Sequence, residues 1–230
     1  CSLPAAGQNS LNEQLFRAAE EGRADEVQSL LKQGANIEAK AENKNGDTPL
    51  ISAASLGETE VVKLLLDKGA NIEARDKDDC TPLIAAAYAG YTEVVKLLLD
   101  KGANIDAKDN FGRTALHAAI ESMAKEERIT EMMKLLLAKG ANIEAKNTDG
   151  ETPLMEAAWM GETEVVKLLL DKGANIEAKN TDGQTPLIKA ASLHSTEVVK
   201  LLLEKGANPK AKDNLGQTAL DYEKRKRPRE

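Results

Sequence analysis

The triplet Gly-Ala-Asn occurs six times, with its glycine at Gly34, Gly69, Gly102, Gly140, Gly173 and Gly206, at spacings of 35, 33, 38, 33 and 33 residues. A second mark, Thr-Pro-Leu or Thr-Ala-Leu, starts at Thr48, Thr81, Thr114, Thr152, Thr185 and Thr218, at spacings of 33, 33, 38, 33 and 33. Two independent marks on one period confine the chain to a repeat architecture. In such an array each unit is a small piece of supersecondary structure whose apolar face is covered only by its neighbours.

The residues from Gly46 to Asp78 show what one unit can do. Thr48 offers a hydroxyl to cap a helix, and Pro49 suits the first helical position, where no N–H is needed. A short helix through Leu50, Ile51, Ala53 and Ala54 ends at Gly57, which takes a left-handed conformation at little cost. Glu58, Thr59 and Glu60 open a second helix with carboxylates at its positive end. Val61, Val62, Leu64, Leu65 and Leu66 give that helix a broad apolar stripe, and Lys63 and Lys68 keep its outer side wet. Gly69 stops it, and the polar stretch from Ala70 to Asp78 predicts a hairpin-like connection. Small Ala residues on the first helix let a neighbour approach closely. Each leucine buried by stacking contributes about 1.5–3 kcal/mol.

These features resemble the ankyrin repeat family. The resemblance is carried by Thr81, Pro82, Leu83, Ile84, Ala86, Ala87, Gly90, Val94, Val95, Leu97, Leu98, Leu99, Gly102, Ala103 and Asn104, with equivalent sets in the units that begin near Gly46, Gly112, Gly150 and Gly183. It covers about Leu11 to Tyr222 and implies an all-α ankyrin-repeat solenoid of stacked helix-turn-helix units with β-hairpin-like connecting loops. Three departures stand out. The histidine that follows Thr-Pro-Leu in the family survives only as His117, and Ile51, Ile84, Met155 and Ile188 replace it elsewhere, which predicts apolar packing in place of a polar link. Asp79 stands where a turn glycine is expected, so that turn is expected to be strained or rebuilt. His194 replaces a helix-ending glycine.

The expected organisation is a flexible leader at 1–10, an N-terminal capping repeat at 11–45, repeats at 46–78, 79–111, 112–149, 150–182 and 183–215, and a partial repeat with a basic tail at 216–230. The first repeat lacks Thr-Pro-Leu and carries Glu13, Gln14, Arg17, Glu20, Glu21 and Arg23, a polar outer face of the kind a solenoid end needs. The repeat at 112–149 holds five extra residues, within the stretch 120–130, which are expected to lengthen its first helix by about a turn and a half.

Several functions are disfavoured. Lys and Arg total 31 against 38 Asp and Glu, a formal charge of −7, which suits no phosphate-backbone binder. Two Cys and two His provide neither a disulfide scaffold nor a Cys/His zinc module, so no metal is expected. No apolar stretch of about 18 residues exists to span a membrane. His117 and His194 lie in different repeats, no nucleophile motif or phosphate loop is present, and carboxylates such as Glu60, Glu93, Glu164 and Glu197 recur with the architecture. The chain therefore reads as a binder rather than an enzyme, with no cofactor.

The resemblance implies a concave surface formed by loop tips and the exposed sides of the first helices. Positions that break the repeat there are the candidates for contact: Asp47, Leu56, Tyr88, Tyr91, Phe111, Arg113, Glu151, Glu156, Trp159, Met160 and Leu193. Four of the six aromatics are among them, and exposed aromatics and Met are what a protein-binding hot spot uses. Tyr91 and Phe111 serve equally well as covers for turns. Asp47, Asp149, Glu151, Glu156 and Asp182 favour a partner with a basic patch.

The chain starts at Cys1, followed by small and polar residues. Such a start resembles a mature bacterial lipoprotein with a lipidated cysteine, periplasmic or anchored at the outer membrane, and a cloning boundary accounts for it equally. The resemblance then implies an immunity protein that binds and neutralises a secreted toxin such as a phospholipase effector. The alternative is a cytoplasmic or nuclear adaptor, or a host-targeted effector, with the basic run from Lys224 to Arg229 as its address. A solvated, frayed helix end is the plainer reading of that run.

Overall fold

A computed structural model describes residues 5–41, 45–122 and 126–224. Among them thirteen helices are found: α1 Ala5–Glu20, α2 Ala24–Lys32, α3 Pro49–Leu56, α4 Thr59–Asp67, α5 Pro82–Ala89, α6 Thr92–Asp100, α7 Ala115–Ile120, α8 Glu126–Ala138, α9 Pro153–Met160, α10 Thr163–Asp171, α11 Pro186–Ser192, α12 Thr196–Glu204 and α13 Ala219–Glu223. No strand occurs among the described residues. They divide into two compact blocks, residues 5–110 with 121–122 and residues 111–120 with 126–224.

Local chemistry sets the helix ends. Thr48, Thr81, Thr152 and Thr185 are extended N-caps whose hydroxyls accept from the backbone N–H three residues on, and a proline follows each. Thr114 differs because its neighbour is His117. The imidazole Nδ1 lies 3.3 Å from the Thr114 N–H and 3.0 Å from its hydroxyl, and Nε2 faces the Glu151 carbonyl at 3.3 Å. Accepting from the N–H at Nδ1 leaves Nε2 to donate to that carbonyl. Where the histidine is absent, Ile51, Ile84, Met155 and Ile188 are buried at the same position, as expected of apolar replacement.

In the first block α1 packs on α2 and α3, α3 on α5, and α2, α4 and α6 follow one another. In the second, α7, α9, α11 and α13 follow one another, as do α8, α10 and α12. The core is the strip between these two rows. Leu50, Ala53, Ala54, Val61, Val62 and Leu65 are wholly or almost wholly buried, and the same register positions recur in the other repeats. At the end of the second block this rule stops: Leu220, on α13, is 58% exposed, although its counterparts Leu154 and Leu187 are buried.

Polar ladders tie the repeats at their loops. Glu38 and Glu73 accept from the N–H groups of Asn71 and Asn104 at 2.7 Å, and Glu144 and Glu177 do the same for Asn175 and Asn208. The hairpin-like loops close by hydrogen bonds from Asp76 N to Cys80 O, Asn147 N to Glu151 O and Asn180 N to Gln184 O. Each tip also donates to the preceding one, as Thr181 N does to Asp149 O at 2.9 Å.

Two sequence departures keep the family backbone without the family residue. Asp79 has φ 58° and His194 φ 56°, in the left-handed region that glycine favours. The turn at Asp79 is thus strained rather than rebuilt. At His194 the preceding helix, α11, ends one residue early, and His194 Nδ1 lies 3.4 Å from Glu223 Oε2.

Two expectations are corrected. Of the leader expected at 1–10, residues 5–10 lie in α1, since no proline interrupts Ala5–Glu20 and each added residue closes one more hydrogen bond, and residues 1–4 lie outside the described residues. The extra residues of the fourth repeat do not lengthen its first helix. α7 has six residues, whereas α8 has thirteen against nine in α6 and α10. The added turn buries Ile129 in line with Met132, Met133 and Leu136, at the spacing of one helix face. Residues 123–125 lie outside the described residues.

Two measurements check this account. The Ser52 hydroxyl is buried without a hydrogen-bond partner, at a position where Ala85 and Ala118 stand in other repeats. Ser52→Ala is expected to raise stability by about 0.5–1 kcal/mol, read from the urea midpoint. The second concerns acid. The ammonium of Lys101 donates to Asp67 at 2.7 Å and that of Lys205 to Asp171 at 2.8 Å. These hydrogen bonds first, and charge attraction second, hold both carboxyls below their ordinary range. The N–H and then the hydroxyl of Thr218 do the same to Asp221, which completes a capping box on α13. A depressed carboxyl adds stability above its unfolded pKa, about 3.9, and that stability is lost as pH falls through the folded value. The urea midpoint is therefore expected to decline below about pH 4. Asp221→Asn is expected to flatten part of the decline and to speed amide exchange in α13.

Candidate protein-binding surface

The residues that break the repeat sit at two places in each block: the loop tips, and the C-terminal ends of the first helices. In the first block Leu56 ends α3 and is 45% exposed, and Tyr88, near the end of α5, is 49% exposed. In the second block Trp159 and Met160 end α9, 44% and 39% exposed, and Leu193 follows α11, 48% exposed. Each helix is forced into this arrangement. Its Leu, Ile and Ala residues are consumed by stacking, and a left-handed residue then turns the chain away, so the last residues before the turn face water. Met160 and Leu193 occupy the same register in neighbouring repeats, on helices packed against each other.

The other predicted contact residues take different positions. Tyr91 is half-buried, and its ring lies over Gly57, where an added Cβ would come within 2.4 Å of it. Glu58 covers Gly22 and Ser195 lies over Gly161 in the same way, so Tyr91 acts as a cover for the preceding turn. Phe111 is an exposed loop tip, 53% accessible, with the Arg113 guanidinium 4.8 Å from its ring centroid. Asp47 is half-buried, and its carbonyl accepts from the Ala41 N–H.

The acidic residues are not displayed alike. Glu156 is only 7% exposed. Glu151 faces Lys189, with Nζ 2.6 Å from Oε1 and both side chains mostly covered. Asn180 Nδ2 also donates to Glu151 Oε1 at 3.3 Å. Its orientation is fixed because Oδ1 accepts from the N–H groups of Asp182 and Gln184. Asp149 and Asp182 remain as exposed carboxylates at the tips.

Sequence reasoning missed Lys189 and Asn180. The signal was there: counted four residues after the capping threonine, the repeats read Ser52, Ala85, Ala118, Glu156 and Lys189, so charge appears at a position otherwise small. The Lys189 ammonium also lies 5.5 Å from the centroid of the Trp159 ring.

Models of ankyrin repeats match residues 15–109, 73–147 and 106–180 in one form and residues 169–222 in another. This chain belongs to the ankyrin repeat family. A crystal structure of the human ASB11 ankyrin repeat domain is similar to it, with 30% sequence identity, a TM-score of 0.79 and 92% of each chain covered. Among curated protein sequences no significant match is found. As an ankyrin protein the chain is a scaffold for protein–protein interaction, a fold that typically binds rather than catalyses. Among the described residues no group of three or more His, Cys, Asp or Glu side chains is placed to hold a metal ion. None of the described helices is long and apolar enough to cross a membrane.

Proposed function

We propose that this ankyrin chain recognises a partner protein through the large side chains that depart from the repeat: Leu56 and Tyr88 in the first block, and Phe111, Trp159, Met160 and Leu193 in the second. One observation carries the reading. These apolar residues are each at least 39% exposed while the framework residues beside them are buried, so stacking does not account for them. Exposed aromatics and Met, set on rigid helix ends, supply contact area at low entropic cost. The exposed carboxylates Asp149 and Asp182 give a basic region of the partner its complement.

The finer reading is neutralisation of a secreted toxin, such as a phospholipase-type effector, by an immunity protein. A binder acts this way without chemistry of its own, by covering the route to the enzyme's site. A lipid on Cys1 would hold it in the periplasm or at the outer membrane; Cys1 lies outside the described residues. The basic run from Lys224 to Arg229 favours the second reading, a cytoplasmic or nuclear adaptor or host-targeted effector. Its residues 225–229 also lie outside the described residues.

The test places a photo-crosslinking phenylalanine analogue at position 88 or 159, with Lys63 and Lys167 on second helices as control positions. A discrete protein crosslinked at 88 or at 159, and absent at 63 and 167, is the expected result. Equal labelling at all four positions would refute the surface. Inhibition of that protein's activity by the purified chain, stoichiometrically and without turnover, separates the toxin reading from the adaptor.

A further inference from the structure

Trp159 is the single tryptophan of the chain, and it is not left to move freely. The Lys189 ammonium, on the neighbouring helix α11, lies 5.5 Å from the centre of its ring, within the range at which a cation is attracted to the ring face. Lys189 is itself held. Its Nζ is 2.6 Å from Glu151 Oε1, and the two side chains are only 14% and 16% exposed. A pair this far covered is weakly screened, and neither charge leaves without stranding the other.

Glu151 is fixed in turn from both ends of the residue. Its N–H donates to Asn147 Oδ1 at 2.9 Å, and its carbonyl accepts from Asn147 N at 3.1 Å and faces His117 Nε2 at 3.3 Å. On the side-chain end, Asn180 Nδ2 reaches both Glu151 Oε1 and Gln184 Oε1, Gln184 donates to the Tyr222 hydroxyl at 3.2 Å, and that hydroxyl donates to Asp213 at 2.7 Å. A continuous polar chain thus runs from the last repeat to the face of an exposed aromatic. Nothing in the stacking of repeats requires a lysine at 189, where Ala85 and Ala118 suffice.

We infer that Lys189, clamped by Glu151, is a positioning residue that sets the Trp159 ring for partner contact. The inference rests on the binding surface proposed above, but its effect is read without a partner. An anchor already in its bound orientation loses less freedom on binding. Releasing the ring lowers affinity in proportion to the fraction of time it still spends in the bound orientation, a loss of about three- to tenfold where that fraction falls to about a third to a tenth.

Time-resolved fluorescence anisotropy of the sole tryptophan tests it in the full chain. In the unaltered protein the decay is expected to follow tumbling of the whole molecule, with little fast component. Lys189→Met keeps the apolar stem and removes the charge; the fast nanosecond amplitude is expected to at least double while circular dichroism and the urea midpoint confirm the fold. Lys189→Arg is expected to restore ring order. The exchange Glu151→Lys with Lys189→Glu remakes the pair but puts a carboxylate over the ring, so the ring is expected to stay mobile even where stability recovers. Unchanged anisotropy in a folded Lys189→Met protein overturns the inference, as does full ring order in the exchanged pair. Neither result touches the crosslinking outcome at 159, so failure of the binding surface and failure of the clamp remain distinguishable.

Discussion

Replacing Leu98 with alanine is expected to destabilise the protein by about 2–5 kcal/mol, the range for a buried leucine truncated in a core that relaxes only in part. Leu98 is 0% exposed in the last turn of α6, which packs on both α4 and α5. Its neighbours Leu97 and Leu99 are only half-buried, so the same truncation at Leu99 removes less covered surface and should cost clearly less. That ordering is the sharper test, because it reads the helix register and not merely the presence of apolar residues. Urea unfolding followed by circular dichroism supplies both numbers. The loss at Leu98 is a large share of the roughly 5–15 kcal/mol that keeps a domain folded. In a stack it falls first on the repeat it belongs to and on the repeat packed against it in the same block. Equal losses at Leu98 and Leu99 would mean that α6 is turned by part of a helical step from the orientation described.

Most of the fold was legible because repetition tests every local reading several times. Thr48, Pro49 and Gly57 each act at a helix end as short-range chemistry predicts, and their counterparts repeat the result. Legibility failed where the repeat was broken. The extra residues between Ile120 and Thr130 carried helix-forming composition but no terminating glycine, so nothing local fixed which helix would take them. The choice was made by packing: Ile129 lies in line with the buried face of α8 and lengthens it. Likewise no short-range signal set the start of α1, which reaches back to Ala5, into the stretch expected as a leader.

The contact surface was legible in outline only. Trp159, Met160, Tyr88, Leu56 and Leu193 are exposed because large side chains at non-framework positions have no core to enter. Tyr91 is different, since its neighbour in space is a glycine 34 residues earlier, whose missing side chain leaves a recess for the ring. The carboxylates differ for a related reason. Counting Glu151 as surface charge leaves out what the adjacent repeat places against it, and Lys189 stands 38 residues from Glu151. Charge at a single position is a property of the pair, and the partner in a stacked array is about one repeat away.

Trp159→Ala is therefore expected to separate binding from stability. The ring is 44% exposed and ends α9 rather than lying between helices, so its removal should shift the urea midpoint little. At a partner surface an aromatic anchor of this size is typically worth 2 kcal/mol or more, which is about a thirtyfold loss of affinity. Tyr88→Ala in the first block should behave in the same way with a smaller ring. The contrasting control is Tyr91→Ala: it uncovers Gly57, and its cost is expected to appear in stability rather than in binding. The decisive measurement is titration calorimetry with the protein captured at position 159, alongside urea unfolding of each variant. If Trp159→Ala unfolds the second block while Tyr91→Ala only weakens binding, the roles of the two rings are reversed and the surface must be redrawn around Tyr91.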